Sequence, residues 1–110
     1  MNTTYRDAHL ELNFASETAT LDAKPITLTR KEYDLLALLV LHAGRIVPRS
    51  EQLMRVWGYG EGIRTRTLDV HIRHLRKKLG PYAPQYIETV FGIGHRFQPY
   101  EAANTLALTA

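Results

Sequence analysis

Residues 64–79, RTRTLDVHIRHLRKKL, decide how the rest of the chain is read. Set out at about 100° per residue, Leu68, Ile72, Leu75 and Leu79 share one narrow arc, the apolar stripe of a helix docked on a core. The opposite arc carries Arg66, Val70, Arg73, His74 and Lys77. These 16 residues hold six Lys/Arg and one acid, whereas the other 94 hold eight bases and ten acids, so the whole positive excess of the chain lies on this helix. A solvated helix face ordinarily mixes signs to gain i,i+4 pairs. A face of nearly one sign tolerates its own repulsion and points to a polyanionic partner, a nucleic acid. Val70, an apolar residue on that arc, either suits a thymine methyl group or is one of the scattered apolar residues common on protein surfaces.

Working outward, 110 residues make one domain with room for its own core, and the absence of Cys excludes a disulfide framework, a thiolate metal site and a cysteine nucleophile together. The longest apolar run, residues 35–41, is far too short to span a bilayer, and the N-terminus lacks the layout of a signal peptide. The chain therefore reads as a soluble protein of a reducing cytoplasm, with no membrane partner.

The first 28 residues read as an antiparallel meander. Residues 9–15 alternate, with Leu10, Leu12 and Phe14 on one face, and residues 19–21 and 26–28 are weaker strands separated by Asp22-Ala23-Lys24-Pro25. Thr29-Arg30-Lys31-Glu32 is a capping box that starts a helix running to about Ala43, apolar almost all round and closed by Gly44. Residues 46–47 form an extended link. Pro48 suits the first turn of a second helix that runs to Gly58, and three glycines then make a loose loop before the basic helix. Pro81 and Pro84 forbid further helix, and residues 86–97 form a hairpin turned by Gly92 and Gly94, with Arg96 close to the turn. Residues 99–110 lack any amphipathic period and read as a flexible tail, leaving residues 1–98 as the domain.

Sheet, helix, helix, basic helix and hairpin form the outline of a winged helix. The segments Leu28-Thr29-x-x-Glu32-Tyr33-x-Leu35-Leu36, His42-x-Gly44-Arg45-Ile46-Val47, Val56-Trp57-Gly58, Arg66-Thr67-Leu68-Asp69-Val70-His71-Ile72-Arg73-x-Leu75-Arg76-Lys77-Lys78-Leu79 and Thr89-Val90-x-Gly92-Ile93-Gly94-x-Arg96-Phe97 carry a resemblance. They are similar to the OmpR/PhoB-type winged-helix effector domains of bacterial two-component response regulators. The resemblance implies an α+β fold: a winged helix-turn-helix with a four-stranded N-terminal sheet, a three-helix core and a C-terminal β-hairpin wing. It implies a sequence-specific double-stranded DNA-binding output domain, with residues 65–79 in the major groove and the wing, residues 86–97, near the minor groove. A phosphoacceptor receiver domain is implied upstream in the full-length protein, with tandem dimers on DNA. Loop 58–65 matches one that can touch RNA polymerase in the family.

Roles follow from the same resemblance. Asp69 and His74 match base-reading positions, where Asp69 accepts from cytosine and His74, standing in place of a frequent Arg, offers a shorter reach. Arg66, His71, Arg73, Arg76 and Thr89 match phosphate-contacting positions. Trp57 either donates its indole N–H to a phosphate or anchors the core. Lys77 and Arg96 complete the expected surface. Three positions depart from the family pattern: Pro48 replaces the usual Ser or Thr, leaving Ser50 as the candidate cap of the second helix, His95 replaces a Tyr, and Phe91 replaces an Arg. Phe91 either packs beneath the hairpin as a core residue or meets the minor groove as an apolar contact.

Competing functions find little support. Asp69-x-His71-x-x-His74 is the one pattern suggestive of metal ligation or acid/base chemistry, and on a helix its three side chains are expected to diverge. No enzyme, metal or cofactor is implied. A winged helix used only for protein interaction has no need of so basic a helix. A receiver-less or membrane-anchored regulator remains an alternative setting for the same domain.

Overall fold

The computed structural model describes residues 3–101. Four short strands, β1 (Thr4–Arg6), β2 (Leu10–Asn13), β3 (Thr18–Leu21) and β4 (Lys24–Ile26), form an antiparallel sheet in sequence order. The expected alternation places Leu10 and Leu12 in the core, whereas Phe14 lies past the end of β2 and is only half buried. β1 has no distinctive pattern and was not localised by the sequence reading. β4 begins two residues earlier than expected because Asp22 and Ala23, at φ 50° and 67°, make a two-residue turn that pairs Leu21 with Lys24. Pro25 is tolerated because β4 is an edge strand.

Helix α1 (Arg30–Leu41) starts at the expected capping box: Thr29 Oγ1 accepts from the Glu32 amide, and the Glu32 carboxylate accepts from the Thr29 amide at 2.9 Å. Residues 35–40 are buried, so α1 is the central helix, although Leu41 at its end is exposed. Gly44, at φ 86°, turns the chain and donates its N–H to Phe97 O. Residues 46–47, expected as an extended link, belong to a strand, β5 (Ile46–Pro48), which also takes in Pro48, expected in the first turn of the following helix. Helix α2 (Arg49–Trp57) begins without any side-chain cap, so the role suggested for Ser50 is not filled, and Gly58 closes it in the left-handed conformation. Lys31 Nζ donates to Val56 O and so satisfies one of its last carbonyls.

Helix α3 (Thr67–Leu79) buries Leu68, Ile72, Leu75 and Leu79, the stripe read from the sequence, with Asp69 in its first turn and Arg76, Lys77 and Lys78 in its last, as the helix dipole favours. Pro81 and Pro84 do not end helical structure. A 3-10 turn (Gly80–Tyr82) and a short helix, α4 (Ala83–Tyr86), follow, each with Pro in its first positions, where the missing N–H costs nothing. The wing is β6 (Ile87–Val90) and β7 (Gly94–Phe97), joined by β5 into a three-stranded antiparallel sheet of order β5-β7-β6. Gly94 is obligatory there, because a Cβ would sit 2.0 Å from Val47 O. Tyr100, expected in the flexible tail, instead packs edge-on against His9, Tyr82 and Tyr86 and donates its N–H to Asp7. The remainder of that expected tail, from residue 102, lies outside the described residues. The fold is an α+β winged helix.

Candidate nucleic-acid interface

Docking α3 by its leucine stripe turns Arg66, Asp69, Arg73, His74 and Lys77 outward, all exposed, with Val70 and His71 half buried beside them. The side chains of Arg64, Arg66, Arg73 and Lys77 enter no ion pair or hydrogen bond among the described residues. Arg73 and Lys77 lie on α3, Arg66 caps its start, and Arg64 precedes it in the loop.

Other polar groups of α3 are engaged by neighbouring elements, which the sequence did not disclose. Asp69 accepts both guanidinium arms of Arg49, at 2.7 and 3.2 Å, and this pairing holds its carboxyl below the usual range. Arg49 also donates its backbone N–H to Ile93 O, so one residue ties the start of α2 to both α3 and the wing. Arg76 Nη2 donates to Ile87 O at 2.8 Å and to Thr89 Oγ1 at 2.6 Å. Arg76 and Thr89 thus bond each other, fixing the wing to α3, and burial lowers the guanidinium pKa. Nothing in the sequence marks Arg49, whose partners lie far along the chain.

His74 does not stand free in the outward arc. Its Nδ1 lies 3.5 Å from Glu32, the capping residue of α1, which also receives Lys78 Nζ. Burial pushes the Glu32 carboxyl up, but Lys78, the Thr29 amide and His74 outweigh it and leave the pKa lowered. His71 and His74, expected to diverge, adjoin with ring centroids 6.2 Å apart, because residues three apart on a helix are neighbours. Trp57 packs edge-on against the His71 ring at 4.9 Å, half buried and in contact with the core. Among the described residues no group of three or more His, Cys, Asp or Glu is placed to hold a metal ion.

The wing differs most from expectation. Thr89 faces α3, so its neighbours Glu88 and Arg96, paired across the strands, lie on the opposite sheet face. Arg96 Nε donates to Glu88 at 2.9 Å, so its charge is paired and lies on the sheet face turned from α3. Phe91 is 90% exposed, which overturns the core reading: the turn carries it beyond the hairpin's packed face. His95 is buried, and its Nδ1 accepts from Gln52 Nε2 at 3.0 Å. Burial, with Arg76 and Arg49 nearby, pushes its pKa down to about 4. Between α3 and the wing runs an open cleft lined by Asp69, Arg73, Arg76, Thr89 and Phe91, with His95 at its floor. Arg49, Arg64 and Arg66 line a second, adjoining cleft.

Residues 23–97 match the profile of the family described as transcriptional regulatory protein, C terminal. The chain belongs to this family. Its members are the winged-helix DNA-binding effector domains of OmpR/PhoB-type response regulators, which are regulators and not enzymes. This effector domain is 44% identical over 77 residues to the response regulator ArlR of Staphylococcus saprophyticus, a match covering 69% of this chain and 35% of that protein. The ArlR of Staphylococcus aureus strain USA300 matches with the same identity and coverage. The chain thus spans about a third of the length of these relatives. The DNA-binding domain of Klebsiella pneumoniae RstA, solved in complex with the RstA box, aligns with a TM-score of 0.82 at 30% identity, over 90% of this chain and all of that one. The DNA-binding domain of CpxR from E. coli aligns with a TM-score of 0.79, also at 30% identity, over 93% of this chain and all of that one. No helix among the described residues is long and apolar enough to cross a membrane.

Proposed function

We propose that this effector domain binds a specific double-stranded DNA sequence as the output of a transcriptional response regulator, with α3 in the major groove and the wing toward the minor groove. The observation that carries the reading is the exposed side of α3 and its N-cap, where Arg66, Arg73 and Lys77 have no ion-pair or hydrogen-bond partner among the described residues and stand beside Val70, while the opposite face is buried. Arg64, Arg66, Arg73 and Lys77 contact phosphates, with His71, Trp57 and the Arg76–Thr89 pair lining the approach. Val70 and Asp69 face base edges, where Arg49 restrains the carboxylate. His74, drawn toward Glu32, stands at the margin of the readout.

In this reading the full-length protein is cytoplasmic, carries a receiver domain upstream, and pairs in tandem on adjacent half-sites. Loop 58–65, with Ile63 and Arg64 exposed, is the surface open to RNA polymerase. The test is selection of bound duplexes from a random pool, followed by titration of the recovered site at several salt concentrations. Arg73→Ala or Lys77→Ala should lower affinity for cognate and random duplexes alike and reduce the slope of log K against log salt by about 0.9 each. An enriched site that neither variant affects would refute the assignment of this face.

A further inference from the structure

His71 on α3 has one ring nitrogen committed and the other idle. Its Nδ1 lies 2.7 Å from Thr67 O, one turn back, and 3.5 Å from Thr67 Oγ1. A carbonyl oxygen only accepts, so Nδ1 carries the hydrogen and, in the neutral ring, Nε2 is left as an acceptor. Nε2 has no hydrogen-bond partner among the described residues. The other groups that face the ring are few. Trp57 of α2 meets it edge-on at 4.9 Å, and His74, on the next turn of α3, adjoins it at 6.2 Å with Glu32 of α1 beyond. The cations Lys78 and Lys31 are already engaged, Lys78 with Glu32 and Lys31 with Val56 O.

The ring is half buried, on the flank of α3 between its buried stripe and its outward arc. A helix with its side chains is about 10–12 Å across and the major groove about 12 Å wide, so the flanks of a helix seated there meet the two phosphate walls. The flank toward the wing carries the permanent charge of Arg76. The opposite flank carries His71 and Lys78, and Lys78 is held by Glu32. On that side a phosphate oxygen, itself an acceptor, would meet a neutral imidazole by its lone pair.

We propose that DNA binding takes up one proton from solvent at His71: Nδ1–H stays on Thr67 O while Nε2, once protonated, donates to a phosphate oxygen of the groove wall. This rests on the DNA-binding reading above and adds to it a proton that Arg73 and Lys77 do not need. Because the complex holds this proton more tightly than the free domain, affinity rises as pH falls through the imidazole range.

The experiment titrates the domain with the duplex recovered by the selection at pH 8, 7 and 6, stopping there to keep the buried His95 neutral. Affinity should rise about three- to tenfold from pH 8 to 6, and the slope of log K against log salt should steepen by up to about 0.9, one counterion more. His71→Gln keeps a donor but cannot titrate, so its affinity should be independent of pH, while His74→Gln should keep the parent's rise. A second readout needs no substitution. Trp57 is the chain's single Trp, and an imidazolium quenches a neighbouring indole more than a neutral ring does. The midpoint of this quenching should therefore move upward by about half a pH unit to one unit when the duplex binds, the same three- to tenfold read on the proton. Parent affinity that is independent of pH, or that weakens as pH falls, overturns the proposal, as does a quenching midpoint that does not move. A rise that survives in His71→Gln overturns it too, and its loss in His74→Gln then assigns the proton to that ring. If the parent domain enriches no duplex, the DNA-binding reading itself falls, a result distinct from these.

Discussion

His95 makes the stability of this domain depend on pH between 7 and 5. The imidazole is 5% exposed and its pKa is about 4, while in the unfolded chain it titrates near its ordinary value of about 6.5. Because the folded form holds its proton less tightly, unfolding takes up a proton between these values. Stability is therefore fully present above about pH 6.5 and is lost as pH falls toward 4. The limiting loss is roughly 3.4 kcal/mol, from about 1.36 kcal/mol per pKa unit, and roughly 2 kcal/mol is lost between pH 7 and 5. For a domain of this size that corresponds to about 10 °C in Tm. Burial sets the sign, with the Arg76 and Arg49 charges adding to it, and the contact agrees: neutral Nδ1 accepts from Gln52, whose amide also donates to Val47 O, and a protonated Nδ1 would face that amide donor. Gln52 Oε1 is buried without a hydrogen-bond partner among the described residues. The lowered carboxylates Glu32 and Asp69 act in the same direction at lower pH, supplying stability that is present above the ordinary carboxylate range and lost as pH falls below it. Urea titrations at pH 5, 6, 7 and 8 should show the 2 kcal/mol fall in the parent and a nearly flat profile in His95→Leu, whatever the variant's stability at pH 7. Equal slopes in the two proteins would refute the assignment.

Gly94→Ala should cost roughly 3 kcal/mol or more, because its Cβ meets the Val47 carbonyl rather than a movable side chain; a thermal melt close to the parent's would contradict the close approach of β5 and β7. Glu32→Gln keeps a residue able to complete the capping box but removes the charge facing Lys78 and His74, so denaturant unfolding at pH 7 should show a loss of about 1–2 kcal/mol. That loss should shrink once pH falls well below the ordinary carboxylate range and the parent's Glu32 is itself protonated. Arg49→Ala frees Asp69 and should relax base preference at one position of the selected site while leaving the fold intact, since the pair is solvent-exposed; an unchanged selection profile would deny Arg49 any role in readout.

Patterns confined to neighbouring residues were legible in advance. The capping box at Thr29, the stripe of α3 and the hairpin each declare themselves within one turn or one strand, and the core positions Leu68, Ile72, Leu75 and Leu79 followed from spacing alone. What was missed depends on partners distant in sequence. Residues 46–48 are too few to show a strand period, and they become β5 only because β7 arrives some 50 residues later. His74 seemed free because a helical wheel shows its own helix and not the N-terminus of α1 that packs beside it. Arg96 and Thr89 both read as wing contacts, although strand alternation sends them to opposite faces once Arg76 identifies the inner one. Phe91 stays open between core and surface in the sequence because hydrophobicity does not reveal whether a turn folds a side chain under the hairpin or, as here, away from it.

The same distant partners change the electrostatic meaning of α3. Read from sequence, residues 64–79 carry six cations and one acid, which invites a count of every base as a phosphate contact. In the fold, Lys78 is used against Glu32, and Arg76 is half buried with one nitrogen committed to Ile87 O and Thr89. Asp69 no longer subtracts from the helix, since Arg49 of α2 neutralises it. Of the cations in residues 64–79, those left facing solvent without a side-chain partner among the described residues are Arg64, Arg66, Arg73 and Lys77. Four released counterions imply a slope of log K against log salt of about −3.6, whereas counting all six bases would imply about −5.4. Lys78→Ala should therefore lower stability while leaving the slope unchanged, and Lys77→Ala, one residue earlier, should do the reverse. A slope that falls equally in both variants would mean that the Glu32 bridge opens on DNA and that Lys78 joins the phosphate contacts.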